Sequence, residues 1–358
     1  MPFDGSLLQH HTSRTITHVM VIPKNMQGLV LLHDGFDATG RATGLEDFSD
    51  CVELRQLSVP QHGPGQALIR VSRAAVNHAD VAFIRGYYGM PRVKGVAAGF
   101  EGTGTVVAGD TPLVGQRVSF ASPTSGTWAE YALANIAQLI PLRDELRDED
   151  AAGLIINPIS AAVMCEIARE SGAKSFVATG AGSQLVKFLI PLAREKGCPC
   201  IAIVRRPALA QQLKDLGALE VLVSEDAEFA ERFRSVSLRY KPRVLLDAIA
   251  DQVSSDIFFA MPNHSIWVIY GRLAISLPVL NDPEQFIVAN KQIKGFWLTS
   301  WFLNTAPEEV AKVIADVQAR FIDGRWQTNV SETVALQDAM SLLPSAFSQK
   351  DGKVLLAL

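Results

Sequence analysis

Four cysteines in 358 residues are too few and too scattered for a disulfide framework or for the repeated close pairs of a structural zinc site. Cys51 and Cys165 stand alone, and Cys198 and Cys200 flank Pro199 at the entrance to an apolar run, where buried thiols are expected. A reducing compartment fits that usage. Positive charge is also scarce. The 33 Lys and Arg are outnumbered by 37 Asp and Glu, giving a formal net charge of −4, and the cations are dispersed rather than striped, which removes the field that nucleic acid requires. No apolar run is long enough to span a membrane, since Lys187 interrupts the best one. The first twenty or so residues lack the apolar core of a signal peptide, and their single arginine, Arg14, speaks against a transit peptide. The expectation is a soluble, cytoplasmic protein with neither nucleic acid nor membrane as partner, and with His10 and His11 on a loose terminus.

What is present is a large core. Hydrophobic residues make up 48% of the chain and charged residues 20%, and the length exceeds one ordinary domain. In the first third, strand patterns over 28–32, 51–57, 66–74, 102–107 and 117–121 are broken by Gly, Pro and Asp, which is an all-β signature. The polar, Gly-rich stretch 34–49 reads as an exposed hairpin loop. From about Glu149 strands and helices alternate: a helix from Pro158, a strand at 176, helices over 183–196, 208–216 and 226–236, and strands over 200–204, 220–223 and 244–247. Further strands over 266–270 and around Phe296, a helix over 307–321, and strands near Val330 and Val354 close the chain. Alternation of this kind predicts an α/β, doubly wound parallel sheet behind a β-rich domain.

Residues 175–216 carry the sharpest signal. The short apolar strand 176–178 leads through Thr179 into a turn made by Gly180, Gly182 and Ser183, and a helix then begins at Gln184 and Leu185. Backbone N–H groups at such a turn approach a pyrophosphate closely, and the helix directs its positive end at the anion. The third glycine of the dinucleotide pattern is missing, because Leu185 or Val186 occupies its place. Pro191 falls inside the helix and is expected to kink it. After the strand 200–204 stand Arg205 and Arg206, where the adenosine ribose of a dinucleotide lies. An acidic residue there accepts from a free 2′-hydroxyl, whereas two guanidiniums match a 2′-phosphate. The expected cofactor is therefore NADPH (NADP), although an ordinary strand-to-helix turn with a solvated arginine pair is the plainer alternative.

A β-rich domain, a nucleotide domain and a return segment resemble the medium-chain dehydrogenase/reductase superfamily from about residue 26 to 358. The resemblance implies a GroES-like β-rich catalytic domain (1–149 and 303–358) and a Rossmann cofactor domain (150–302). Where zinc-dependent members carry a Cys ahead of Gly-x-Asp and then Gly-His-Glu, this chain has Asn77-His78-Ala79-Asp80 and Gly99-Phe100-Glu101. An amide and a phenyl ring do not hold zinc, so no metal is expected. Within the zinc-free branch, Asn77-His78-Ala79-Asp80, Arg85-Gly86-Tyr87-Tyr88-Gly89, Gly126-Thr127-Trp128, Asn157-Pro158, Tyr270-Gly271 and Gly295-Phe296-Trp297-Leu298 are similar, in the same order, to the mitochondrial-type trans-2-enoyl thioester reductases.

That resemblance implies an NADPH-dependent reduction of an activated C=C bond, with Tyr88 as the catalytic tyrosine and Tyr87 as its rival by a one-residue slip. Asn77 is implied to orient cofactor or substrate, with Asp80 bracing the turn, and Asn157 to reach the nicotinamide or its ribose or simply to cap a helix. Tyr270 and Gly271 are implied to offer backbone groups to the carboxamide. Phe296, Trp297 and Leu298 are implied to lie beside the nicotinamide, or else merely in the core, and Lys353 to contact a cofactor phosphate or to be a solvated turn lysine. Arg272 replaces a second glycine, and a cation there can narrow the pocket or attract an anionic substrate. Arg92 and Lys94 near the entrance are candidates for a CoA phosphate, with a solvated loop as the alternative. Homodimerisation through the strand near Phe296 is also implied. The expected substrate is a small molecule, a 2-enoyl thioester or related α,β-unsaturated carbonyl compound; a quinone reductase and a catalytically lapsed NADPH-binding relative are the alternatives.

Overall fold

The computed structural model describes residues 21–37, 47–348 and 352–358. The middle of the expected 34–49 loop and the histidines at 10 and 11 lie outside the described residues. Two large sheets organise the rest. One has six strands in the order Glu220–Val223, Cys200–Val204, Phe176–Ala178, Val244–Asp247, Ile266–Ile269, Gln292–Gly295, and every pairing is parallel. Numbered along the chain, that order is 3-2-1-4-5-6, the doubly wound arrangement whose direction reverses between the first and fourth strands. Continuous apolar runs explain the central strands: all five residues of Cys200–Val204 and all four of Val244–Asp247 are buried, as strands covered on both faces require.

The second sheet is built mainly from antiparallel pairs over Gln66–Val76, Glu101–Gly109, Arg117–Ala121 and Ile140–Pro141, with Tyr131–Asn135 paired to the first of these. The return segment completes it. Lys353–Ala357 pairs antiparallel with Gln66–Val76 and parallel with Val330–Ala335, while the helix Pro307–Ile322 sends Val317 and Phe321 into the core that holds Met164 and Phe188. A hairpin of Asn25–Leu31 and Val52–Ser58 packs on the β-rich side through bridges from Gly28 to Ala129 and from Val30 to Ala97. All four cysteines are buried and unpaired.

Two local expectations are corrected, and the place of a third is fixed. Pro158 does not open an α-helix: it lies within a π-helical turn, Ile155–Ile159, that precedes the helix Ser160–Glu170, so Asn157 sits inside the turn and does not cap it. Pro191, expected to kink its helix, lies inside an unbroken helix from Gln184 to Glu195. The last strand of the parallel sheet ends at Gly295, and Phe296 begins the connection to the helix Leu298–Asn304.

Candidate active site

The ends of the parallel strands and the edge of the β-rich sheet enclose one large cleft of about 1990 Å³. All of the residues singled out above as catalytic or cofactor-binding line it, from Tyr88 and Asn77 to Arg206 and Lys353. At one end is the glycine turn. Gly180 has φ +57, Ser183 N–H closes onto Gly180 O at 2.9 Å, and the Ser183 hydroxyl accepts the Val186 N–H at 3.4 Å, capping the helix that follows. A Cβ on Gly182 would come within 2.6 Å of Leu209 Cδ1, so any larger residue there would have to push that leucine's tip aside. Capped helix and bare turn fit a pyrophosphate. The Gln184 side chain ties to Gln327 O and Asn329 N–H, and the Leu185 side chain is buried in the core, so any contact either makes at the turn would be through its backbone. Arg205 and Arg206 follow the next strand at this end; Arg205 is exposed and stands 3.8 Å from the equally exposed Glu225.

The switch point is held by a residue that sequence reasoning passed over. Asp247 ends its strand fully buried and accepts hydrogen bonds from the Thr179 hydroxyl, the Ser254 hydroxyl, the backbone of Ile249 and Ala250, and the Trp267 indole at 2.8 Å. A lone Asp closing an apolar strand was the available signal. Its carbonyl receives the N–H of Tyr270 at 2.9 Å, and a Cβ on Gly271 would meet Ala248 O at 3.0 Å, so a side chain at this corner would have to displace backbone. The Tyr270 hydroxyl is buried without a partner, which leaves the backbone as what Tyr270 and Gly271 offer the cleft.

At the other end a short helix, His78–Ile84, delivers the two tyrosines. Gly86, at φ +85, turns the chain after it, and the N–H groups of Tyr87 and Tyr88 both bond Ala82 O. The Tyr88 ring lies on Phe100 at 5.0 Å, and its hydroxyl accepts the Trp297 indole N–H at 3.1 Å. Burial, with the Asp80 charge, pushes its pKa up, so the phenol remains a proton donor. Tyr87 also lines the cleft; burial raises its pKa, while Arg85 and Arg272 draw it down. Arg272 is at the rim, donating to Ile275 O at 3.4 Å.

Beneath the tyrosine turn is a buried polar cluster. Asp80 accepts the backbone N–H of Asn77 at 2.7 Å and of Phe100 at 2.8 Å, bracing the turn. Glu101 accepts the Asn77 amide at 3.0 Å and the N–H groups of Ile155 and Ile156 at 3.0 and 2.9 Å. Lys353 is placed otherwise than expected. It is 6% exposed, and its ammonium donates to Asn77 Oδ1 inside this cluster; it is neither a solvated turn residue nor turned outward to a phosphate. Arg92 is corrected too: it is buried, spending its guanidinium on Gly35 O and Ile84 O, and offers nothing to a substrate.

Burial pushes the Asp80 carboxyl up to about 7, against the pull of the Asn77 N–H and of Lys353. Because the unfolded chain gives up that proton first, the folded state binds more protons between pH 4 and 7, and the group's contribution to stability falls as pH rises, by up to about 1.4 kcal/mol per pH unit. Urea unfolding of wild type and Asp80→Asn at pH 5 and pH 7.5 checks this. The stability difference is expected to move in the variant's favour at the higher pH; a difference independent of pH contradicts the shift.

Residues 63–144 match the alcohol dehydrogenase GroES-like domain family. The chain is 25% identical to the mitochondrial enoyl-[acyl-carrier-protein] reductase of Bos taurus over 336 residues, covering 90% of this chain and 86% of that one. A crystal structure from Mesorhizobium loti, provisionally described as an NADPH:quinone reductase, is 44% identical with a TM-score of 0.91, covering 95% of this chain and all of the other. An enoyl thioester reductase from Candida tropicalis, in a mutant form, shares the fold at 19% identity and TM-score 0.75 over 93% of this chain and all of its own. With both sheets, the cleft and these relatives in agreement, the chain belongs to the medium-chain dehydrogenase/reductase superfamily of oxidoreductases, in its enoyl reductase and quinone reductase branch.

Proposed function

We propose that this protein is an NADPH-dependent, zinc-independent reductase of an activated C=C bond, acting on a 2-enoyl thioester or another α,β-unsaturated carbonyl compound. The observation that carries the reading is the layout of one cleft, with a glycine turn and arginine pair at one end and a neutral tyrosine held by an indole at the other. The turn at Thr179–Ser183 fits the pyrophosphate, Arg205 and Arg206 the 2′-phosphate, and the Tyr270–Gly271 backbone, Asn157 and Phe296 the nicotinamide end. When bound, the dinucleotide supplies hydride.

Reduction of a conjugated double bond builds negative charge on the carbonyl oxygen and then needs a proton. Tyr88 suits both needs. Its oxygen already accepts from Trp297, so its own O–H is left to point at the substrate, and its raised pKa keeps that proton on at neutral pH. Tyr87, without that indole, is the weaker candidate. Zinc independence is supported by Asn77 and Phe100 and by the Lys353 ammonium beside them, which would repel a dication. Homodimerisation is supported by the exposed edge strand Gln292–Gly295, which carries exposed Ile293, and by the exposed Ile287 and Val288 shortly before it in the chain. A cytoplasmic location is part of the same proposal.

The quinone reading keeps one specific support, the provisional description of the Mesorhizobium loti relative. A turnover panel of 2-enoyl-CoA esters, enals and quinones with NADPH separates the cases. Enoyl substrates are expected to give the highest kcat/KM; dominance of quinones would transfer the conclusion to them, and NADPH binding without any turnover would mark a lapsed relative.

A further inference from the structure

Glu101 opens its strand with no solvent exposure, yet both of its oxygens are occupied from different walls of the cleft. Oε1 takes the side-chain amide of Asn77, which stands at the start of the tyrosine-bearing segment. Oε2 takes the first two N–H groups of the π-helical turn that carries Asn157 and continues into Ser160–Glu170, a helix packed in the core of the parallel sheet. Opening N–H groups of a helical turn have no partner within it, and a carboxylate is the natural acceptor for them. π-helical turns themselves concentrate at functional sites.

Lys353 completes the arrangement. Lys353 Nζ donates to the amide oxygen and the amide nitrogen donates to Glu101 Oε1, the sense expected between an amine donor and a carboxyl group that already accepts two backbone N–H groups; burial works against both charges, raising the Glu101 pKa and lowering that of Lys353. With Oδ1 tied to the lysine, the amide nitrogen tied to Glu101 and the same side chain bonded to the Asp80 carboxyl, the Asn77 amide is held in one orientation at the cleft wall it lines.

We infer that Glu101 and Lys353 are positioning residues: together they lock the Asn77 side chain in one orientation at the cleft wall, and Glu101 fixes Asn77 relative to the Asn157 turn across the domain junction. The inference rests on the proposed binding of the nicotinamide end beside Asn157. Its effect is felt there and not at the adenosine end, which Arg205 and Arg206 hold. Lys353 thereby acts through Asn77 and not on a phosphate.

The test compares NADPH with 2′,5′-ADP, which carries only the adenosine end, on the full chain by calorimetric titration. Glu101→Gln is expected to weaken NADPH about tenfold while 2′,5′-ADP stays within twofold. Lys353→Met should do the same, and Lys353→Arg, which keeps the donor, should recover most of the loss. In an Asn77→Ala background, Glu101→Gln should add little to the fall in kcat, because it acts partly through the residue already removed. Equal losses for both ligands, or none for either, overturn the inference, as do fully additive effects. Should Glu101→Gln not fold, the lysine variants give the same ratio. A wild type that binds both ligands but turns over no acceptor would count against the reductase reading alone and leave the affinity ratio to decide the clamp; a wild type that binds neither overturns both.

Discussion

Tyr88→Phe lowers kcat on a 2-enoyl thioester about a hundredfold or more, with NADPH affinity unchanged within twofold. Removing one donor aimed at a developing oxyanion typically costs about 10²–10³ in rate, and loss of a general acid about 10²–10⁴. The loss should fall on kcat more than KM, since charge on the carbonyl oxygen grows toward the transition state. Stability should change little: the phenyl ring keeps its contact with Phe100, and the half-exposed Trp297 N–H can turn to water. Tyr87→Phe is the control and should retain at least a third of the wild-type rate. Reversal of the two results would reassign the role to Tyr87, whose hydroxyl lies nearer the charges of Arg85 and Arg272.

The second large effect is on cofactor choice. Arg206→Ala should weaken NADPH by about 1.5–3 kcal/mol, the value of a hydrogen bond to a charged group, which is about tenfold to a hundredfold in Kd. NADH should be almost untouched, because it lacks the 2′-phosphate that the guanidinium would hold. Arg205→Ala should cost less. Its side chain is 61% exposed, and its pairing with Glu225 across 3.8 Å is a screened surface contact. Adding salt should weaken NADPH more than NADH in the wild type and narrow the gap in the variant. Fluorescence titration of both cofactors checks this; equal losses would remove the arginines from the ribose site.

The sequence was most legible where one local pattern determines structure. The strands Arg117–Ala121, Cys200–Val204, Glu220–Val223 and Val244–Asp247 lie where their apolar runs and flanking breakers predict, and the Gly180–Ser183 turn follows from φ and close approach at two glycines. What escaped depends on partners distant along the chain. Lys353 reads as a turn lysine because Asp351-Gly352 precedes it, and only the pairing of its strand with Gln66–Val76 carries it into the core beside Asn77. Arg92 looks solvated until Gly35 and Ile84 enclose it, 57 and 8 residues away. The helix His78–Ile84 was read as a motif and not as an element, although Asn77 and Asp80 are spaced as a helix start. The π-helical turn at Asn157 has no local signature; it is held from outside by Glu101, 54 residues earlier.

Hydride transfer itself is the most direct test. NADPH deuterated at both C4 positions, mixed with enzyme and a short 2-enoyl thioester in a single turnover, should yield the saturated thioester with one deuterium on the β-carbon for each NADP formed, and a solvent-derived proton on the α-carbon. Recovery of unreacted thioester, with all deuterium still on the bound dinucleotide, would contradict the assignment of this cleft to enoyl reduction.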